Sequence, residues 1–228
     1  MFFDVLRAKP KYNIIIEQFM QIGVFSLPIV LLASTFVGFI STWQFVYLVG
    51  SAVSLNYLGM VVLKVVLSDL GPTLIGLVLA GRIGAKLAAE VGTMRVNEQI
   101  DAMTCLSLNP ISYIIAPRII AGFMMTPVLF IFGSLAAIVS SQVLATLVLN
   151  LPATTFYNSM HLMFRMDDIY MGLIKSFTFG GLMALCGCYF GFYTTGGAVG
   201  VGASTRKAVV AASILILISN LIISQMMM

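Results

Sequence analysis

Two stretches of 46 residues each, Gln18–Leu63 and Ile119–Phe164, contain no Asp, Glu, Lys or Arg. A helix on the surface of a water-soluble domain needs a polar face, whereas about 20 consecutive apolar residues cross the roughly 30 Å hydrocarbon core of a bilayer. Over the whole chain 60% of residues are hydrophobic and 9% charged, against about 25% charged in ordinary globular chains. The chain therefore reads as an all-α integral membrane protein. Its 228 residues leave room for five or six spans and short connections, so any soluble catalytic engine must come from another chain.

Charge positions divide the sequence into five expected spans, about residues 22–49, 70–92, 117–149, 169–194 and 208–226. They form a single transmembrane domain over residues 1–228. Two points stay open: whether residues 50–66 form a re-entrant arm, and whether an interfacial helix precedes the first span. The second span is long enough only if its helix continues through Arg82, Lys86 and Glu90, which are spaced by four and share one face. Asn150, Pro152, Asn158 and His161 mark the end of the second uncharged run as an exposed loop or short surface helix. The glycine-rich stretch GFYTTGGAVGVGASTRK reads as a loop into the last span.

With the N-terminus cytoplasmic, Arg7, Lys9, Lys11, Arg82, Lys86, Arg95, Arg118, Arg206 and Lys207 collect on the cytoplasmic side, against Lys64, Arg165 and Lys175 opposite. Nine against three follows the positive-inside rule, and five spans put the C-terminus on the other side. The N-terminus carries Asp4 and Glu17 among its bases and reads as retained.

Several chemistries are unsupported. Cys105, Cys186 and Cys188 and the single His161 make neither a disulfide framework nor a metal site. Gly197 and Gly202 have the spacing of a phosphate-binding loop, but Ala203 and Ser204 stand where Lys and Ser or Thr are required. No hydrolase motif is present, no cofactor is expected in the chain, and nucleic acid is not implied.

Three constellations remain. Ala80, Gly84, Ala88 and Gly92 recur every fourth residue, a small-residue ridge suited to tight helix packing or dimerisation, and Gly187 with Gly191 forms a second, weaker pair. Arg82, Lys86 and Glu90 form an intramembrane charge cluster, either snorkelling to the headgroups with Glu90 on Lys86 or holding an anionic headgroup. The segment of about residues 94–104 reads as a short amphipathic helix, with Val96, Ile100 and Met103 on one face and Arg95, Glu98 and Asp101 on another, Gln99 lying between. Two acids and one base suit a protein partner better than an anionic membrane surface.

The stretches Leu79–Met103, Asn109–Gly122 and Gly196–Asn220 resemble the MlaE/YrbE permeases, membrane subunits of MCE-associated ABC transporters. The similarity runs from about Gly71 to Gln225, and the run EVGTMRVNEQIDAM is its most specific part. Asn97, Cys105–Leu108 and Asn220 depart from the family's usual residues. The resemblance implies a five-span homodimer in the cell inner membrane, bound to two ATPase subunits that hold the ATP and to a hexamer of MCE-domain proteins, moving phospholipid between membranes. It also implies that Arg95, Val96, Glu98, Gln99, Ile100, Asp101 and Met103 couple to the ATPase through a cytoplasmic helix, and that a lipid pocket lies near the first and last spans of the dimer. A non-transporting membrane scaffold and an intramembrane lipid-modifying enzyme are the rival classes; the missing motifs weigh against the enzyme.

Overall fold

The computed structural model describes residues 12–49 and 55–227. Among these residues there is no strand. The described residues form ten α-helices in succession: α1 (Tyr12–Ile22), α2 (Leu27–Val49), α3 (Leu58–Val65), α4 (Gly71–Leu79), α5 (Ala85–Val96), α6 (Gln99–Cys105), α7 (Ala116–Leu149), α8 (Ala153–Met163), α9 (Met166–Phe192) and α10 (Gly197–Met227). Five helical stretches are long and apolar enough to cross a membrane: Ile14–Leu48, Leu55–Val96, Ile111–Leu149, Met166–Phe192 and Gly197–Met227. The chain is a multi-pass, all-α membrane protein.

The second stretch differs from the sequence expectation at its start. Residues 55–70 are helical and lead directly into the span, while residues 50–54 of the conceivable re-entrant arm lie outside the described residues. The 42-residue stretch contains two wide π turns, Val66–Leu70 and Ala80–Gly84. The first has an identifiable cause. Pro72 has no N–H to give to the carbonyl four residues back, Ser68, so the helix loosens there and one backbone acceptor is released.

Two other expectations are resolved, and one of them needs correction. Of the exposed loop and the short surface helix that the sequence left open for this stretch, residues Ala153–Met163 form the helix, and it buries Phe156, Ser159 and Met160 on one side. The glycine-rich stretch is not a loop, because α10 already begins at Gly197. The reversal occupies the four residues Tyr193 to Gly196, closing on Gly196 and Gly197, whose φ values of +89° and +65° suit glycine, and the small residues that follow wind into helix.

The chain divides into two compact units. One comprises the described residues up to Ser26 with Gly76–Pro127 and Phe177–Ser219. Its helices meet through small residues. Gly180 lies so close to the Gly122 region that an added Cβ would stand 2.3 Å from the Gly122 carbonyl oxygen. The second unit comprises Leu27–Ile75, Val128–Ser176 and the chain from Asn220. There α2 and α7 are joined by a hydroxyl pair, Thr42 with Ser141 at 2.6 Å, and Ser140 Oγ donates to the Thr35 carbonyl at 3.0 Å. In lipid, where apolar surface gains nothing by leaving the solvent, such close approach and hydroxyl bonding drive association.

Candidate functional site

The site is built on α5, whose C-terminal turn carries the elbow into α6. Lys86 and Glu90 sit one turn apart, 3.7 Å between Nζ and Oε1. Glu90 also receives Arg118 Nη2 at 3.2 Å, while Arg118 Nη1 donates to the Ile114 carbonyl at 2.9 Å. Arg118 is buried, with 8% of its side chain exposed, so the Glu90–Arg118 pair ties the end of the second span to the beginning of the third in a partly desolvated setting. The charge cluster expected from sequence is thus rearranged. Lys86 and Glu90 come together, Arg82 does not join them, and Arg118 takes its place. Arg82 lies exposed in the π turn Ala80–Gly84, where the wider winding interrupts the four-residue spacing on which the shared face depended.

The segment 94–104 is not one helix. Arg95 and Val96 belong to the last turn of α5, and Asn97 and Glu98 form a break in which Glu98 adopts φ +59°. A seven-residue helix, α6, follows. Ile100 anchors it with 1% exposure, Val96 and Met103 are half-buried, and Glu98, Gln99 and Asp101 are exposed. Arg95 pairs with Asp101 across the bend, so one of the two acids expected to face a partner is already engaged within the chain. Leu106 and Leu108, beyond α6, are exposed as well.

The small-residue ridge is occupied inside the chain. Ala80, Gly84, Ala88 and Gly92 are all buried, and the second glycine pair is their counterpart. A Cβ added at Gly187 would fall 2.9 Å from Leu87 Cβ and 3.0 Å from the Gly84 carbonyl oxygen; one at Gly191 would fall 2.8 Å from Val91 Cβ and 2.9 Å from the Ala88 oxygen. The two motifs therefore pack against each other, α5 on α9.

In the other unit lies a cluster that the sequence reading missed. Lys175, wholly buried, donates to the Ser68 carbonyl at 2.8 Å and to Asp69 Oδ1 at 3.0 Å, and Asn220 Nδ2 reaches the same carboxylate oxygen at 3.2 Å. The lysine thus satisfies the acceptor that Pro72 releases. A cavity of about 350 Å³ opens nearby, lined by Lys64, Ser68, Arg165, Asp167 and Asp168 among others. The usable signal was a lysine inside an apolar helix: such a residue needs a partner, and Asp69 beside a helix proline was available.

The family profile described as Permease MlaE matches residues 15–226. A probable ABC transporter permease protein of Rickettsia typhi is 37% identical over 98% of this chain and 86% of its own length. One from Synechocystis is 36% identical over 100% of this chain and 86% of its own. The chloroplastic protein TRIGALACTOSYLDIACYLGLYCEROL 1 of Arabidopsis thaliana is 36% identical over 96% of this chain and 63% of its own. The chain belongs to the MlaE permease family, and as an ABC transporter permease it is a transport subunit rather than an enzyme.

Proposed function

We propose that this MlaE-family permease forms the lipid path of an MCE-type ABC transporter, as a homodimer in the cell inner membrane that moves phospholipids between membranes of the envelope. Two ATPase subunits bind the ATP and a hexamer of MCE-domain proteins receives or delivers the lipid on the opposite side. The N-terminus is cytoplasmic, in keeping with the nine-to-three distribution of bases. The name of the Arabidopsis relative contains a diacylglycerol lipid, which supports a lipid cargo.

The observation that carries this reading is the elbow. The break before α6 and its first residue present Glu98 and Gln99 to solvent, and the short helix is seated by Ile100 and tied by Arg95–Asp101 to α5, which Glu90–Arg118 links in turn to α7. A push on α6 therefore reaches two membrane-spanning helices through short, stiff connections, which is what transmission of ATPase closure requires. The last span adds a second support: Val210, Ile214, Leu217, Ile218 and Leu221 are all at least half exposed, an apolar face suited to lipid or to a second copy.

The test is reconstitution of the chain with an ABC ATPase and an MCE-domain protein of the same organism, in vesicles carrying a fluorescent phospholipid. ATP-dependent transfer of the label to acceptor vesicles is expected, lost in Glu98→Lys with the complex still dimeric. A complex that hydrolyses ATP without moving lipid, or that never assembles, would refute the reading.

A further inference from the structure

At the far end of α9 an open groove of about 550 Å³ runs along α10, lined by Phe190, Arg206, Lys207, Val210, Ala211 and Ile214. Arg206 and Lys207 are exposed at its mouth. Val210, Ala211 and Ile214 continue from them at intervals of three and four residues, so they lie on the same side of the helix and extend the groove by about 10 Å. One end is cationic and the rest is apolar.

The depth of this groove in the bilayer follows from the chain. Residues 208–227 carry no charge, and 20 helical residues match the roughly 30 Å hydrocarbon core, which places the two bases at the level of the lipid phosphates. Tyr189, next to the groove-lining Phe190 at the end of α9, and Tyr193, just beyond that helix, are 50% and 62% exposed with ring centroids 5.0 Å apart, as tyrosines are at a membrane–water boundary. The bases are not neutralised from within. No Asp or Glu follows Asp168 in the sequence, and neither base forms an ion pair among the described residues.

We propose that this groove seats one anionic phospholipid of the surrounding leaflet, its phosphate on Arg206 and Lys207 and an acyl chain along Phe190, Val210, Ala211 and Ile214. The guanidinium offers a planar fork to two phosphate oxygens and the ammonium adds a point charge. A zwitterionic headgroup would bring its own ammonium towards both bases, so a headgroup with net negative charge is favoured. This lipid is a resident rather than the cargo. The site requires that α10 crosses a bilayer and that its Val210 and Ile214 side is turned to lipid rather than to a second copy; it does not require transport.

The full-length chain is placed in nanodiscs of phosphatidylcholine with a minor share of phosphatidylglycerol, and the lipids it retains are identified by native mass spectrometry. Selective retention of phosphatidylglycerol is expected. Arg206→Gln with Lys207→Gln should reduce that selectivity by about 30-fold, the worth of two bases at a lipid surface. Ala211→Phe keeps both charges but fills the groove, and it should also lose the retained lipid. The proposal fails if the native chain shows no preference or if the charge variant keeps it. It fails equally if Ala211→Phe retains phosphatidylglycerol normally, which would leave only diffuse surface charge, or if soluble glycerol phosphate displaces the lipid, which would mark a free-phosphate site.

Discussion

Replacing Gly191 by alanine tests whether the ridge on α5 is filled by α9. The new methyl carbon would lie 2.8 Å from Val91 Cβ, 2.9 Å from the Ala88 oxygen and 3.2 Å from Ala88 Cα. None of these is the tip of a flexible side chain, so the helices must separate by several tenths of an ångström, and overpacking of this kind costs about 1–3 kcal/mol. At Gly84, in contrast, an added Cβ meets nothing nearer than the Met183 oxygen at 3.9 Å, and alanine there gains up to about 1 kcal/mol of helix propensity. Gly84→Ala should therefore be neutral or slightly stabilising, although Gly84 belongs to the longer sequence motif. In detergent-purified protein followed by size-exclusion after heating, the midpoint should fall by about 2–12 °C for Gly191→Ala and not at all for Gly84→Ala. Gly187→Ala, with Leu87 Cβ and the Gly84 oxygen within 3.0 Å, should behave like Gly191→Ala. Equal sensitivity at Gly84 and Gly191, or loss only of dimer with the monomer's midpoint intact, would show that the ridge meets another chain instead.

Asp69→Ala removes the carboxylate 3.0 Å from an ammonium with no exposure, whereas Lys175→Met removes the charge itself; thermal midpoints should show the first as the more harmful, by about 1–3 kcal/mol, with the double variant milder than the sum. Arg118→Lys keeps the charge but cannot span the Ile114 carbonyl and Glu90 with one planar fork, so about 1–3 kcal/mol of stability should be lost together with ATPase stimulation by lipid. Glu98→Gly relieves a left-handed backbone in a residue with a side chain and should raise stability by up to about 1 kcal/mol, whereas Glu98→Val should lower it, as chemical denaturation would show. Glu98→Lys should weaken copurification of the ATPase at unchanged thermal midpoint, while Asp101→Lys should lower the midpoint as well, because it also breaks the pair with Arg95.

Charge spacing and small-residue periodicity made much of this legible in sequence. The uncharged runs located the membrane, the fourfold recurrence of Ala80, Gly84, Ala88 and Gly92 located a tight helix crossing, and the alternation of Val96, Ile100 and Met103 with acids located a partly exposed segment. What it misjudged are features that depend on winding or on a partner far along the chain. A π turn shifts every later residue around the helix, so Arg82 left the face it shared on paper with Lys86. One left-handed residue at Glu98 converted an expected helix into an elbow. The partnership of Gly187 and Gly191 with the first ridge, about a hundred residues earlier in the chain, has no local signature at all.

Lys175 shows how such features can be recovered by counting donors and acceptors rather than by reading periodicity. Counted alone, it is a base that interrupts a span, and assigning it to an aqueous side is the cheapest explanation. Yet a proline within a spanning helix necessarily releases the carbonyl four residues before it, and in hydrocarbon a released carbonyl must find another donor. Pro72 therefore predicts an acceptor at Ser68, Asp69 lies beside it, and a donor long enough to satisfy both has to come from another helix. The apolar middle of α9 contains one side chain of that kind, Lys175, and it bonds to both. The same counting accounts for Arg118, which serves a carbonyl of the turn before it and the carboxylate of Glu90 at once. In each case a cation that looks misplaced in a span closes the backbone irregularity or the acid nearest to it.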